Sequence, residues 1–377
     1  MEKLSRIGLS LSGGGTRAMA FHCGVLKRIS ENNRLEHISH ISSVSGGSLL
    51  IGLIFGITKS HWPSSDQYLS CVRDEIRRIL TETDIQRSLM LGLLKPYNWK
   101  YLLSRANVLS QVFENDWAVT QYLKELPNTP MWTVNGTTAE TGRRFRFKNK
   151  SCGDYELGYT KATSFKVAQI MAASAAFPGG IGPFVITTKD FTWHKKPHWD
   201  SEESEEVKNF PYTHLHLYDG GIYDNLGIEP LFDVGINALK SGADYLIVSD
   251  AGMPLKRISH KFPLNPFRIK RILDIALDQT RALRIRTFVK FLINNDEKGE
   301  YIQIGVDARE KIEKYRNTNE VVAEDLLSCN WMDSSEINKA ISYPTNLKLM
   351  EAEVFDRLER HGYETALWND LLFSKTA

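Results

Sequence analysis

The stretch Ile41-Ser42-Ser43-Val44-Ser45-Gly46-Gly47-Ser48 constrains this chain more than any other. An apolar, β-rich run over residues 37–44 leads into it, and a helix-compatible apolar run over 48–55 leads out. Between them stands a small hydroxyl residue with two glycines behind it. A strand that turns sharply into a helix holds its turn residue in an exposed, strained conformation. With Ser45 at that turn, its hydroxyl stands at the mouth of a sheet, above a helix N-terminus whose free N–H groups favour negative charge. Gly46 and Gly47 carry no Cβ, so a substrate can come close to the backbone. That is the geometry of a nucleophile elbow. The plain alternative is a serine-glycine turn without chemistry, and the rest of the chain must decide between them.

A length of 377 residues suffices for one large α/β domain with insertions or for two domains. Hydrophobic residues make up 42%, enough for a substantial core, and a net charge of +2 argues against a surface built for nucleic-acid duplexes. The first predicted strand begins near residue 7 with no apolar signal core before it. The longest apolar run, 49–57, is about half a membrane span and reads as a buried helix. Cys23, Cys71, Cys152 and Cys329 lack CxxC spacing and are predicted to be reduced. These features predict a cytoplasmic protein whose membrane contact is peripheral. No internal repeat and no long low-complexity linker is visible.

Ile7-Gly8-Leu9-Ser10-Leu11 reads as the first strand, Gly13-Gly14-Gly15-Thr16-Arg17 follows, and a helix is predicted over 16–30. A strand, a glycine loop and a helix start make an anion site, because consecutive N–H groups converge and the helix dipole adds to them. Three chemistries use such a site. A P-loop needs a Gly-Lys-Ser/Thr ending, which is absent. A dinucleotide fold is matched by Gly13, Gly15 and Ala18, but it also wants an acid ending the second strand, and Ser42-Ser43-Val44-Ser45 stands there. An oxyanion hole for acyl transfer needs a nucleophile at the end of a neighbouring strand, where Ser45 is.

Residues 58–130 differ in character, with Trp62, Trp99, Trp117 and amphipathic helix signals at 68–80 and 108–126. They read as a helical insertion over the sheet edge, a lid or membrane-facing cap, or as aromatics that pack helices together. The alternation in Arg143-Arg144-Phe145-Arg146-Phe147-Lys148 suits a half-exposed strand, and 165–176 a small-residue helix. Ser174, inside that helix, is a second and weaker candidate nucleophile. His194, His198 and Asp200 precede a charge run at 201–206, and their spacing fits no strong metal template. His214 and His216 share one face of a predicted strand. Leu215, Leu217 and Asp219 share the other, and Asp219 opens Asp219-Gly220-Gly221. A carboxylate at a strand end with two glycines behind it is the partner Ser45 needs, although Asp-Gly is also a common turn pair. Asp224 and Asp250 are its rivals. A long basic amphipathic helix is predicted over 268–292, carrying Arg271, Arg281, Arg284, Arg286 and Lys290. Its basic face suits anionic lipid, a regulatory ligand or simply solvent. Helices follow, one capped at Thr345 or Asn346 and ended by Gly362.

Taken together, Gly13-Gly14-Gly15-Thr16-Arg17, Ser45-Gly46-Gly47, Ala173-Ser174-Ala175-Ala176-Phe177-Pro178 and Asp219-Gly220-Gly221 with Asp224-Asn225 resemble the patatin-like phospholipase family. The blocks stand in the family's order across residues 6–252. The resemblance implies a three-layer α/β/α sandwich, here as one domain over 1–377 with a helical cap at about 58–130 and a helical C-terminal extension at about 290–377. It implies a catalytic Ser-Asp dyad of Ser45 and Asp219, with Gly13, Gly14 and Gly15 at the oxyanion hole and the neighbouring Arg17 there as a structural or phosphate-side charge. One departure is Ser43, where the family's elbow usually has glycine. The layout beyond residue 255 is similar to that of bacterial phospholipase effectors of anti-phage systems switched on by cyclic nucleotides. That likeness implies a cyclic-nucleotide activator and a homo-oligomer.

The expected chemistry is hydrolysis of acyl esters in membrane phospholipids. Asp219 takes the Ser45 proton, Ser45 attacks the ester carbonyl, and glycine-loop N–H groups hold the oxyanion. An aspartate near pKa 3.9 is a weak base, so the dyad requires desolvation. The scheme uses no cofactor and no metal, so activity is expected to be independent of calcium. Lysophospholipase or acyltransferase chemistry with the same dyad is the nearest alternative. A non-catalytic lipid- or nucleotide-binding protein on the same scaffold is the other.

Overall fold

Ile7, Leu9 and Leu11 alternate with Gly8 and Ser10 in a strand buried along its whole length, as strands covered on both faces are. The computed structural model describes residues 6–148, 150–195, 206–207, 211–255 and 267–373. Its principal strands are β1 (Ile7–Leu11), β2 (Ile38–Val44), β3 (Met131–Thr138), β4 (Arg144–Lys148), β5 (Ser151–Asp154), β6 (Gly158–Lys161), β7 (Phe184–Thr187), β8 (His214–Asp219), β9 (Tyr245–Asp250) and β10 (Gly299–Gln303). The order β10-β9-β1-β2-β3 is parallel, and β4, β5 and β6 continue it antiparallel. The main helices are α1 (Gly15–Glu31), α2 (Gly46–Ile57), α3 (Arg73–Glu82), α4 (Ile85–Leu93), α5 (Arg105–Asp116), α6 (Val167–Ser174), α7 (Phe267–Asn294), α8 (Ala308–Lys314), α9 (Glu320–Ser328), α10 (Ser334–Ser342) and α11 (Ala352–Phe373).

Helices cover both faces of this mixed sheet, giving the α/β sandwich that the sequence predicts. Along β9, Ile247 joins the apolar core of α1, α2 and α11, while Leu246 and Val248 face the other way, onto Phe288 and Phe291 of α7. Two glycines let α1 and α11 meet. A Cβ on Gly24 would collide with the Glu359 carbonyl, and one on Gly362 with the Phe21 carbonyl.

Gly362 therefore sits mid-helix and does not end a helix, contrary to the sequence expectation. Three further differences stand out. The expectation of helices alone beyond about 290 missed β10, a sheet edge strand whose Glu300 is buried against Arg34. The helix expected over 108–126 stops at Asp116, and Ala118 adopts a positive φ of 54° just beyond it. On α7, Arg281 and Arg284 are neither solvated nor lipid-facing. They turn inward, Arg281 onto Asp250 at 2.6 Å and Arg284 onto Glu229 at 2.6 Å.

Candidate active site

Sheet register brings Ser45 and Asp219 together. The first half of β3 pairs with β2, ending at Val44 opposite Asn135. The second half pairs antiparallel with β8, whose Asp219 lies opposite Gly136. Gly136 and Thr137 pair with β4 on their other edge, so β2 and β8 share one edge of β3 and meet end to end. The residue after Val44 is Ser45. Strands running toward each other thus set a hydroxyl against a carboxylate, although 173 residues separate the two in the chain.

Ser45 has φ 47° and ψ −118°, a left-handed conformation costly for any residue with a Cβ. The following helix leaves no choice, because a Cβ on Gly46 would strike the Gly15 carbonyl and one on Gly47 the Leu11 carbonyl. Asp219 is buried, its carboxylate faces the Ser45 hydroxyl across one cavity, and it accepts a hydrogen bond from the Gly221 N–H at 2.7 Å. Burial pushes its pKa up to about 6 and outweighs the opposing effects of that N–H and the Ser45 hydroxyl. Its backbone is pinned as well, the N–H donating to the Ala176 carbonyl at 3.0 Å and the carbonyl accepting from Thr137 Oγ1 at 2.9 Å.

The glycine loop crosses beside the elbow. Gly13 donates its N–H to the Asn225 carbonyl at 3.1 Å and Thr16 donates to the Asn346 carbonyl at 3.1 Å. Between them Gly14 and Gly15, at φ 148° and 62°, have N–H groups with no partner among the described residues, at the start of α1. Of the expected donors, Gly13 is already engaged. Arg17 sits beside the loop as a structural charge. It is buried, and it donates through Nη1 to the Tyr343 carbonyl at 2.8 Å and through Nη2 to the Ala251 carbonyl at 3.2 Å. It fastens the loop to later parts of the chain. Burial and the nearby Arg281 lower its pKa to about 10, so it stays charged at neutral pH. Ser45, Asp219 and the glycine loop open into one cavity of about 920 Å³, walled by Leu89, Leu93, Phe177, Ile181 and Leu347 among others.

A family model for patatin-like phospholipases matches residues 9–232. The chain belongs to the patatin-like phospholipase family. Among solved structures it is similar to human GIVD cytosolic phospholipase A2, with 13% identity and a TM-score of 0.52, over 98% of this chain and 59% of that one. At that identity the likeness is one of fold, and this chain spans less than two thirds of the human protein. VipD from Legionella pneumophila matches more loosely, with 14% identity and a TM-score of 0.35, over 98% of this chain and 67% of VipD. No curated protein matches the chain by sequence.

The patatin-like elbow of this chain carries Ser43 where glycine is usual, and the structure gives that serine a place. Trp132 Nε1 donates to Ser43 Oγ at 2.8 Å, Ser43 and Ser48 hydroxyls lie 2.9 Å apart, and so do those of Ser48 and Ser174. Ser174 Oγ donates to the Asn135 carbonyl at 2.7 Å. The indole can only donate and the carbonyl only accept, so every hydroxyl in the row is oriented one way. Ser174 Oγ also accepts the Ser45 N–H at 3.0 Å. Ser174 is thus buried structure beneath the elbow, and its own hydroxyl is occupied. Neither the row nor the part Asn135 plays in it was visible in the sequence, where Ser43 stood out only as a departure at the elbow.

The other candidates lie elsewhere. Asp250 is held by Arg281 and by Tyr301 Oη at 2.7 Å, and Asp224 closes its own turn by accepting the Leu226 and Glu229 N–H groups. His216 bonds Glu140 at 2.6 Å and His214 is exposed, on the strand face opposite Asp219. His194 lies in a short strand, whereas His198, Asp200 and residues 201–205 lie outside the described residues. Among the described residues no group of three or more His, Cys, Asp and Glu is placed to hold a metal. The four cysteines are unpaired.

Proposed function

We propose that this protein hydrolyses acyl esters of phospholipids, with Ser45 as nucleophile and Asp219 as its base. The observation that carries the reading is a strained elbow serine set against a buried carboxylate, beside glycine N–H groups that have no partner among the described residues, in an apolar-walled cavity. Asp219 takes the hydroxyl proton as Ser45 Oγ bonds to the ester carbonyl carbon. The oxyanion forms against Gly14 and Gly15 N–H. One such donor contributes roughly a hundred- to a thousandfold in rate. Collapse breaks the ester bond, and the leaving alcohol takes the proton from Asp219. Water then attacks the acyl-serine, gives its proton to Asp219, and the fatty acid departs as Ser45 is reprotonated.

Asp219 must be ionised to act, and burial sets its pKa at about 6. The acid limb of kcat/KM is therefore expected near pH 6, with activity lost below it. A limb near pH 4 would mean that the working base is a solvated carboxylate.

Ser174 is expected to act as a positioning residue. Ser174→Ala removes the acceptor of the Ser45 N–H and should lower kcat about tenfold while KM stays within about twofold. An unchanged kcat would make the hydroxyl row a matter of packing alone.

The direct test of function is fatty acid release from mixed phospholipid vesicles, alongside labelling by a fluorophosphonate ester. Running it with and without cyclic oligonucleotides tests the nucleotide-regulated, anti-phage form of the same proposal. Labelling without release points to another ester. The absence of both labelling and release overturns the hydrolase reading.

A further inference from the structure

We propose that the segment from α4 to the start of α5 is a docking surface for anionic phospholipid bilayers. Met90, Leu91, Leu94, Trp99, Leu102 and Leu103 are all at least half exposed, Leu94 at 72% and Leu103 at 90%. A monomer rarely leaves so dense an apolar cluster to water without a use for it. The cluster is held rigidly outward. Beneath it Asn98 is buried, donating through Nδ2 to the Gly92 carbonyl at 2.9 Å and accepting from Gln111 Nε2 at 3.2 Å. The turn Pro96–Tyr101 thus spends its polar groups inward and presents aromatics and leucines outward.

Two observations select a lipid surface as the occupant. The first is charge. Residues 85–105 carry Arg87, Lys95, Lys100 and Arg105, all exposed, and no acidic residue. Lys100 lies 4.9 Å from the ring centre of Tyr101, an amphipathic pairing suited to headgroup depth. Apolar tips ringed by Lys, Arg, Trp and Tyr make an interfacial element that anionic lipid strengthens. The second is continuity with the site. The other face of α4 lines the cavity of Ser45 through Gln86, Leu89 and Leu93, and Met90 belongs to both surfaces. Arg105 joins the patch to the opposite rim through the Gly180 carbonyl at 3.0 Å. A bilayer seated here would present acyl chains at the cavity mouth. That last step rests on the hydrolase reading, but the docking itself does not.

The test is co-sedimentation of the full chain, in a Ser45→Ala background that leaves lipid intact, with vesicles of phosphatidylcholine alone or mixed with phosphatidylserine. Binding is expected to be stronger to the mixed vesicles. Replacing both Lys95 and Lys100 with Gln should weaken it by about 30-fold at the usual contribution of a surface lysine. Leu94→Ser with Trp99→Ser and Leu103→Ser should weaken binding to both vesicle types by at least about tenfold. In the Ser45-containing protein the same triple variant should keep its fluorophosphonate labelling rate, which shows that the site is intact. Unchanged vesicle binding by the triple variant overturns the proposal. So does a parent that is dimeric where the triple variant is monomeric, since the surface would then join two copies. Patch-dependent binding by a protein that neither labels nor releases fatty acid upholds the docking surface and sinks the hydrolase.

Discussion

Replacing Ser45 with alanine is expected to lower fatty acid release by at least about a thousandfold, and Asp219→Asn to do nearly the same. The effects should not add, because in the proposed mechanism both residues serve one proton transfer. Stability separates the two variants. Ser45→Ala keeps the strained backbone and leaves melting close to the parent. Ser45→Gly, equally inactive, should gain about 1 kcal/mol by relieving the positive φ. For Asp219 the folded pKa of about 6 lies above the ordinary value of 3.8. A raised carboxylate favours the protonated folded state, so it costs nothing below about pH 4 and destabilises as pH rises through 6. Asp219→Asn removes that cost and should be more stable than the parent at pH 7 to 8 by up to about 3 kcal/mol, the gap closing toward pH 4. Chemical denaturation at several pH values checks it. An asparagine variant less stable at every pH would mean that the carboxylate is well solvated or better paired than its surroundings indicate.

Asp250→Ala is expected to cost about 3–5 kcal/mol of folding stability, the largest such effect among the acidic residues. Asp250 is fully buried, and the Arg281 side chain is nearly so. Removing the carboxylate leaves a buried guanidinium with only Asp278, at 3.8 Å, as counter-charge and Tyr301 Oη without its acceptor. Asp250→Ala with Arg281→Met should recover much of the loss, since both charges then go together. Urea midpoints of the two single variants and the double variant give the coupling directly. Additive costs would show that the pair is solvated. Residual protein from Asp250→Ala should keep its labelling at Ser45, which distinguishes a structural aspartate from the proposed base.

What the sequence made legible was the set of local turns. Ser45 and Asp219 each stand at the end of a predicted strand before paired glycines, so their placement at strand ends could be read from residue type and order. That they touch could not be computed from spacing, because it depends on β3 being long enough to pair with β2 and β8 on one edge. Gly362 looked like a helix end because a glycine costs helix stability. Its reason, contact with the Phe21 backbone, involves a residue 341 positions away. Arg281 and Arg284 looked like a basic face for the same kind of reason, since their carboxylate partners lie on other elements. The hydroxyl row under the elbow uses serines whose composition gives no signal. The chemistry was written locally, and the supports that hold it were written in tertiary contacts.

The glycine loop is anchored by the Asn346 and Tyr343 carbonyls, and α1 behind it is clasped by α11. These partners leave the ribosome long after Ser45 and Asp219 do. A nascent chain therefore carries Ser45 and Asp219 before the residues that fasten the glycine loop have been made. On the proposed mechanism, hydrolysis would begin only once the segment from Tyr343 to Gly362 is in place.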